Sequence, residues 1–187
     1  VYSMDGDVCD LPAYVALKKR HGCLLMVDEA HSFGIVGATG CGVREYYGIP
    51  GREIDIWMGT LSKSLASCGG WIAGRSSLIR YLKYTAPGFV YSAGLTPANG
   101  VAALSSLKLM LAEPERVHTL QDNAAFFHAE LNRLGLDTGP ARGASGVIPV
   151  ITGNSVHALW LSQRLNERGV NVQPIVYPAV ADDAVHL

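Results

Sequence analysis

Long apolar runs are missing from this sequence, and none approaches the roughly 20 residues that a membrane-spanning helix needs. An excess of charge is missing as well. Lys and Arg total 15 against 16 Asp and Glu, a net charge of −1, so there is no basic footprint for a nucleic acid. Charged residues make up 17% of the chain, against about 25% in an average domain, and 49% are hydrophobic. Such a balance belongs to a well-buried protein, or to one that hides part of its surface against a partner. The four cysteines, Cys9, Cys23, Cys41 and Cys68, form no C-x-x-C pair and no His/Cys grouping with zinc spacing. They read as reduced thiols of a cytoplasmic protein that holds no metal. The opening "VYSMDGD" has no basic start and no apolar core, so it is no signal peptide. It has no initiator methionine either, and the chain reads as a segment of something longer. Finally, there is no G-x-x-x-x-G-K-[ST] loop, without which the "DEAH" at 28–31 is not a helicase box. "GATGCG" has the order G-x-x-G-x-G and opens no helix after a strand, so it reads as loop and not as a dinucleotide fingerprint.

What is present alternates between strand and helix. "DLPAYVALKKRHG" predicts a helix from Leu11 to His21, capped by Asp10, opened by Pro12 and closed by Gly22. "CLLMVDEA" and "IDIWMGT" are short continuous apolar runs, the pattern of parallel strands buried on both faces. "GGWIAG" follows the second run too soon for a parallel crossover and is expected to run antiparallel to it. "SSLIRYLKY" predicts a helix, "PGFVYSA" a strand, and "TPANGVAALSSLKLMLAE" a helix capped by Thr96. "PERVHTLQDNAAFFHAELNRLG" is a long helix with Val117, Leu120, Ala124, Phe127, Leu131 and Leu134 on one stripe. Beyond it, "GVIPVIT", a helix from Ser155 to Arg168 and "VNVQPIV" predict a strand–helix–strand unit. Residues 1–112 are assigned to a large domain and 113–187 to a small one. Trp57, Trp71 and Trp160 are expected in cores. His21, His118, His128, His157 and His186 are expected at or near the surface.

One lysine stands apart. In "GTLSKSLASCGG", Lys63 sits among small residues between two predicted strands, as a lysine does when it is delivered into a pocket. The plainer reading is a solvated lysine at a loop tip. In parallel sheets, ligands bind beyond the carboxyl ends of the strands, and at that rim the sequence places Asp28 and His31 after one strand, Thr60 and Lys63 after the next. A lysine drawn out of water gives up its proton more readily and bonds to an aldehyde. A carboxylate facing a pyridine nitrogen keeps it protonated. Together these are the pattern of a pyridoxal 5'-phosphate site. Thr60, with backbone N–H groups near Ser62 or Ser64, suits a phosphate.

The segments "VYSMDGD", "VDEAHSFGIVGATGCG", "GTLSKSLASCGGWIAG" and "GFVYSAGLTPA" resemble, in order and spacing, the α-oxoamine synthases. These are pyridoxal-phosphate enzymes that condense an α-amino acid with an acyl thioester and release carbon dioxide. "TLSKSLASCGG" and "TAPGFVYS" look nearest to members related to serine palmitoyltransferase or accompanying polyketide synthases. The resemblance implies an α/β fold of the fold-type I transferases, with a mostly parallel sheet bearing one antiparallel strand and a smaller α+β C-terminal domain, both truncated. It implies Lys63 as the Schiff-base lysine and base, Asp28 as partner of the pyridinium nitrogen, and His31 near the ring hydroxyl and the acyl-transfer step. It implies Thr60 at the phosphate, Ser3 near the ring hydroxyl or the substrate carboxylate, and Ser92 at the phosphate of a neighbouring subunit's cofactor, hence a homodimer with composite sites. The acyl donor is implied to be a coenzyme A or carrier-protein thioester. The aromatic residue that stacks on the ring would precede Val1, and an arginine for the substrate carboxylate would follow Leu187. The alternatives are an aminotransferase of the same fold and an inactive paralogue subunit.

Overall fold

Asp10 opens the first helix: its carboxylate accepts the Ala13 N–H at 3.1 Å, and Gly22 closes the helix in the left-handed region at φ 62°. This helix, α1 (Leu11–His21), is held by its basic last turn. Lys18 pairs with Asp55 at 2.7 Å and donates to the Glu53 carbonyl at 2.8 Å. Asp55 also accepts the Leu25 N–H at 2.9 Å, which draws the chain after α1 against the strand that follows Asp55. The computed structural model describes all 187 residues.

Three strands form the sheet in the order β1 (Met26–Asp28), β2 (Ile56–Thr60), β3 (Gly70–Gly74). β1 runs parallel to β2, with Asp28 beside Met58; β3 runs antiparallel to β2, with Thr60 beside Gly70. The reversal is the one expected from the short segment 61–69, which cannot hold the dozen or so residues of a crossover. Between β1 and β2 lie a glycine-rich loop, the short helix α2 (Val43–Tyr46) and a 3-10 turn at Gly51–Glu53. α3 (Ser76–Thr85), α4 (Pro87–Val90) and α5 (Pro97–Ala112) follow β3.

One core joins Leu11 and Val15 of α1 to Val27, Val43 and Ile54, with Trp57 packed against it. A second joins Leu61, Leu65 and Ala103, with Phe33, Trp71 and Leu107 against it. "PGFVYSA" is not a strand. Pro87 sits at the first position of α4, where its missing N–H costs nothing, and the Phe89 and Val90 amides turn back to the Ala86 carbonyl.

The chain divides into two compact units, residues 1 and 8–121, and residues 2–7 and 122–187. α6 (Glu115–Arg133) contributes to both. Val117, Ala124 and Leu131 of its predicted stripe are buried, whereas Phe127 and Leu134 are exposed. In the second unit, α7 (Ser155–Asn166) is capped by Asn154, which accepts the His157 N–H at 2.7 Å. The two strands expected around it are only isolated bridges, Ile151 and Ile175 each to His186. Pro149 and Pro174 each remove a ladder donor from those segments. Their partner is the terminal stretch at Val185–Leu187, where Val150 and Leu187 exchange N–H···O bonds of 3.0 and 3.1 Å. His186 is therefore buried, contrary to expectation, and Trp160 is exposed, with Arg164 5.7 Å above its ring. No two of the four cysteines are joined in a disulfide. No helix is long and apolar enough to cross a membrane, and no His/Cys/Asp/Glu group is arranged to hold a metal.

Candidate active site

The loop that carries Lys63 is pinned at both ends. Leu61 and Leu65 point into the second core, so the residues between them face outward. The Leu61 N–H donates to Gly69 at 2.9 Å and the Ser67 N–H to Leu61 at 2.8 Å, closing the segment on itself. Ser64 Oγ donates to the Phe33 carbonyl at 2.8 Å and Ser67 Oγ to the Asn99 carbonyl at 2.7 Å. Ala66 holds a φ of 48°, a conformation that L residues rarely adopt without support from their surroundings. Gly34 is required here, because a Cβ on it would strike Ser64.

Lys63 is exposed and not sunk in a pocket, yet it is not a free loop-tip lysine. Its Nζ lies 2.6 Å from Nε2 of His31, which arrives from the turn after β1. Which of the two donates depends on the tautomer of the ring. Burial, and then the charge of Lys63, hold His31 below the ordinary imidazole value, and Asp28 opposes them. Asp28 ends β1 with its carboxylate exposed, turned back to accept the Ala30 N–H at 2.7 Å. By strand alternation and register, Asp28, Met58 and Thr60 share one sheet face. Thr60 Oγ1 lies 2.7 Å from Ser62 Oγ, accepts the Ser62 N–H at 3.2 Å and donates to Gly69 at 3.2 Å. It borders an apolar hollow of about 650 Å³ lined by Met58, Gly70, Ile72, Leu82 and Phe89.

Lys63, His31, Asp28 and Thr60 thus gather at the carboxyl ends of two neighbouring parallel strands. Ser92 is exposed beyond α4, its hydroxyl donating to Phe89 at 3.4 Å. Ser3 lies in an exposed turn of the second unit.

Sequence reasoning passed over the carboxylates that shape the loop carrying His31. Glu29 is 3% exposed, and one oxygen accepts from both Ser32 Oγ and the Val43 N–H, the latter at 3.1 Å. Glu45 accepts the Thr39 and Cys41 N–H groups, each at 3.0 Å, and the Thr39 hydroxyl at 2.9 Å. Burial raises the Glu45 carboxyl, but those hydrogen bonds outweigh it and hold it below the usual range. The signal was present in a second acid at the end of an apolar run, Glu29, followed by a serine three positions on. From α6, His118 bonds to the Ala38 carbonyl at 2.9 Å, and the Gln121 amide donates to Ile35 and Gly37, each at 2.9 Å.

Comparison with known proteins places this arrangement in context. The aminotransferase class I and II family matches residues 1–185. The chain is 42% identical over 180 residues to the 8-amino-7-oxononanoate synthase of Fervidobacterium nodosum, covering 96% of this chain and 45% of that protein. It is 37% identical over 183 residues to the serine palmitoyltransferase of Sphingobacterium spiritivorum, covering 98% of this chain and 45% of that protein. A high-resolution structure of SPT with PLP internal aldimine superposes with a TM-score of 0.92 at 31% identity, over 100% of this chain and 46% of that one. The chain therefore spans a little under half the length of these relatives.

Proposed function

The chain belongs to the aminotransferase class I and II family, and from that premise we propose that the whole protein is an α-oxoamine synthase. It would join the α-carbon of an amino acid to the acyl group of a coenzyme A or carrier-protein thioester, releasing carbon dioxide and the thiol. The observation that carries this reading is the 2.6 Å contact between Lys63 and His31 at the carboxyl ends of β1 and β2.

The donor set suits pyridoxal phosphate: an amine, a carboxylate on the neighbouring parallel strand and a pair of hydroxyls 2.7 Å apart, Thr60 and Ser62. When bound, the cofactor draws electrons from the α-carbon of an amino acid held on it. Lys63 would hold its aldehyde carbon and move the proton at the α-carbon. Asp28 would face the ring nitrogen and keep its proton in place. Thr60 and Ser62 would donate to the phosphate. His31 is the group that separates synthase from aminotransferase. A transaminase needs only to return a proton, which Lys63 alone can carry. A synthase must also stabilise the charge that gathers on the thioester carbonyl oxygen, and an imidazole hydrogen bond suits that task. Ser3 is proposed at the ring hydroxyl or substrate carboxylate, and Ser92 at the phosphate of a neighbouring subunit, in a cytoplasmic homodimer.

The test is the reaction of the full-length protein with an α-amino acid and an acyl thioester. Thiol and carbon dioxide are expected in equal amounts. Conversion of a keto acid to an amino acid with no thiol released would replace this reading with the aminotransferase.

A further inference from the structure

We propose that Glu29 is a positioning residue, whose buried carboxylate shapes the turn that holds His31 against Lys63. The inference rests on the reading of His31 and Lys63 as the working pair, and it assigns a task to the acid between Asp28 and His31.

The turn is tied through Glu29 at three levels. Its N–H donates to the Met58 carbonyl at 2.7 Å, extending the β1–β2 ladder one residue past Asp28. Its carbonyl accepts the Ser32 N–H at 3.1 Å and the Phe33 N–H at 2.9 Å, which bends the chain so that His31 stands at the top of the turn. Its side chain points inward, where Oε2 takes both the Ser32 hydroxyl and the N–H of Val43 at the start of α2. Ser32 and Val43 are themselves fully buried, so neither donor has water to turn to when the carboxylate is gone. Gly42 leaves room for the acid: at φ 81° a Cβ would meet the Glu29 carboxylate. The near end of this turn feeds the catalytic rim directly. Phe33 accepts from Ser64 Oγ at 2.8 Å, so the turn that Glu29 shapes also grips the lysine loop.

The state of His31 reports on this. Its ring is faced by Lys63 and by Asp28, and burial and Lys63 together hold it low. A loosened turn lets the ring move toward water and away from Lys63, which returns its titration toward the ordinary value near 6.5. The experiment uses full-length, cofactor-free protein labelled at histidine Cε1, with the His31 resonance assigned by its loss in His31→Asn. In Glu29→Ala the His31 midpoint is expected to rise toward the ordinary value. Glu29→Gln retains an oxygen for Ser32 and Val43, and is expected to leave the midpoint where the unmodified protein has it. Midpoints unchanged in both variants overturn the proposal, since Glu29 then serves stability alone. An equal rise in both also overturns it, since charge and not the acceptor would be responsible. Should Glu29→Ala fail to fold, Ser32→Ala carries the test, with a smaller rise expected and no change overturning the proposal. No cofactor or substrate takes part, so failure of the condensation assay would leave this result standing, and the reverse holds too.

Discussion

Lys63 is the proposed Schiff-base lysine, and its replacement separates chemistry from folding. Its side chain is exposed and contributes nothing to either core, so Lys63→Ala in the full-length protein should leave the melting temperature nearly unchanged. The borohydride-reducible bond to pyridoxal phosphate and its yellow absorbance should disappear; a variant that keeps them excludes Lys63. Asp28→Asn should lower turnover far more than cofactor affinity, because an acid facing the ring nitrogen acts mainly on the transition state. Equal turnover would remove Asp28 from the mechanism. His31 predicts a pH effect on stability. Its folded value is depressed, so on acidification the unfolded chain takes up the proton first. Stability should fall between the ordinary imidazole value and the depressed one, with no contribution above that interval. Urea midpoints across it should fall less steeply in His31→Asn.

At the scale of elements, α1 is the best anchored. The Asp55 carboxyl is held below its ordinary value, chiefly through the Lys18 hydrogen bond and then the Leu25 N–H. The stability it contributes is therefore present above the unfolded carboxyl value and lost as pH falls through the folded one. Asp55→Asn should cost on the order of 2 kcal/mol, the range for hydrogen bonds to a charged group, and chemical denaturation at pH 7 measures it. Gly42→Ala places a methyl against the Glu29 carboxylate in a left-handed backbone, for which a loss of about 2 kcal/mol is expected. A loss within a few tenths would show that the loop gives way freely. The caps of α1, α5 and α7 were legible in Asp10, Thr96 and Asn154 because a cap is a local matter of one side chain and an amide three residues on. "PGFVYSA" misled because its β-branched and aromatic residues speak for a strand, while Pro87 at a helix start speaks for a turn.

For the whole molecule, the proposed composite site gives a prediction that no single subunit can satisfy. If Ser92 serves the neighbouring subunit, Lys63→Ala and Ser92→Ala proteins, each impaired, should recover activity when refolded together. A mixed dimer would contain one site with both residues intact. Activity of the mixture equal to the mean of its parents would place Ser92 outside the partner's site. Full-length protein is required, because this chain spans 45% of the relatives it matches.

Residue order alone determined the parallel pair, the reversed third strand and the convergence of Asp28, His31, Thr60 and Lys63 on one rim. Those follow from apolar runs, short connections and the rule that strand ends carry sites. The second unit was less legible, since Pro149 and Pro174 break its strands and their partner, Val185–Leu187, is too short to announce itself. Only the tertiary structure decided that Lys63 meets His31 and that Glu29 faces inward to Ser32 and Val43. Lys63–His31 and Glu29–Val43 join positions on different segments, whereas Glu29–Ser32 is local. No period or spacing encodes the two long-range contacts, because the geometry that closes them is set by the packing of Leu61, Leu65 and Val43 beneath.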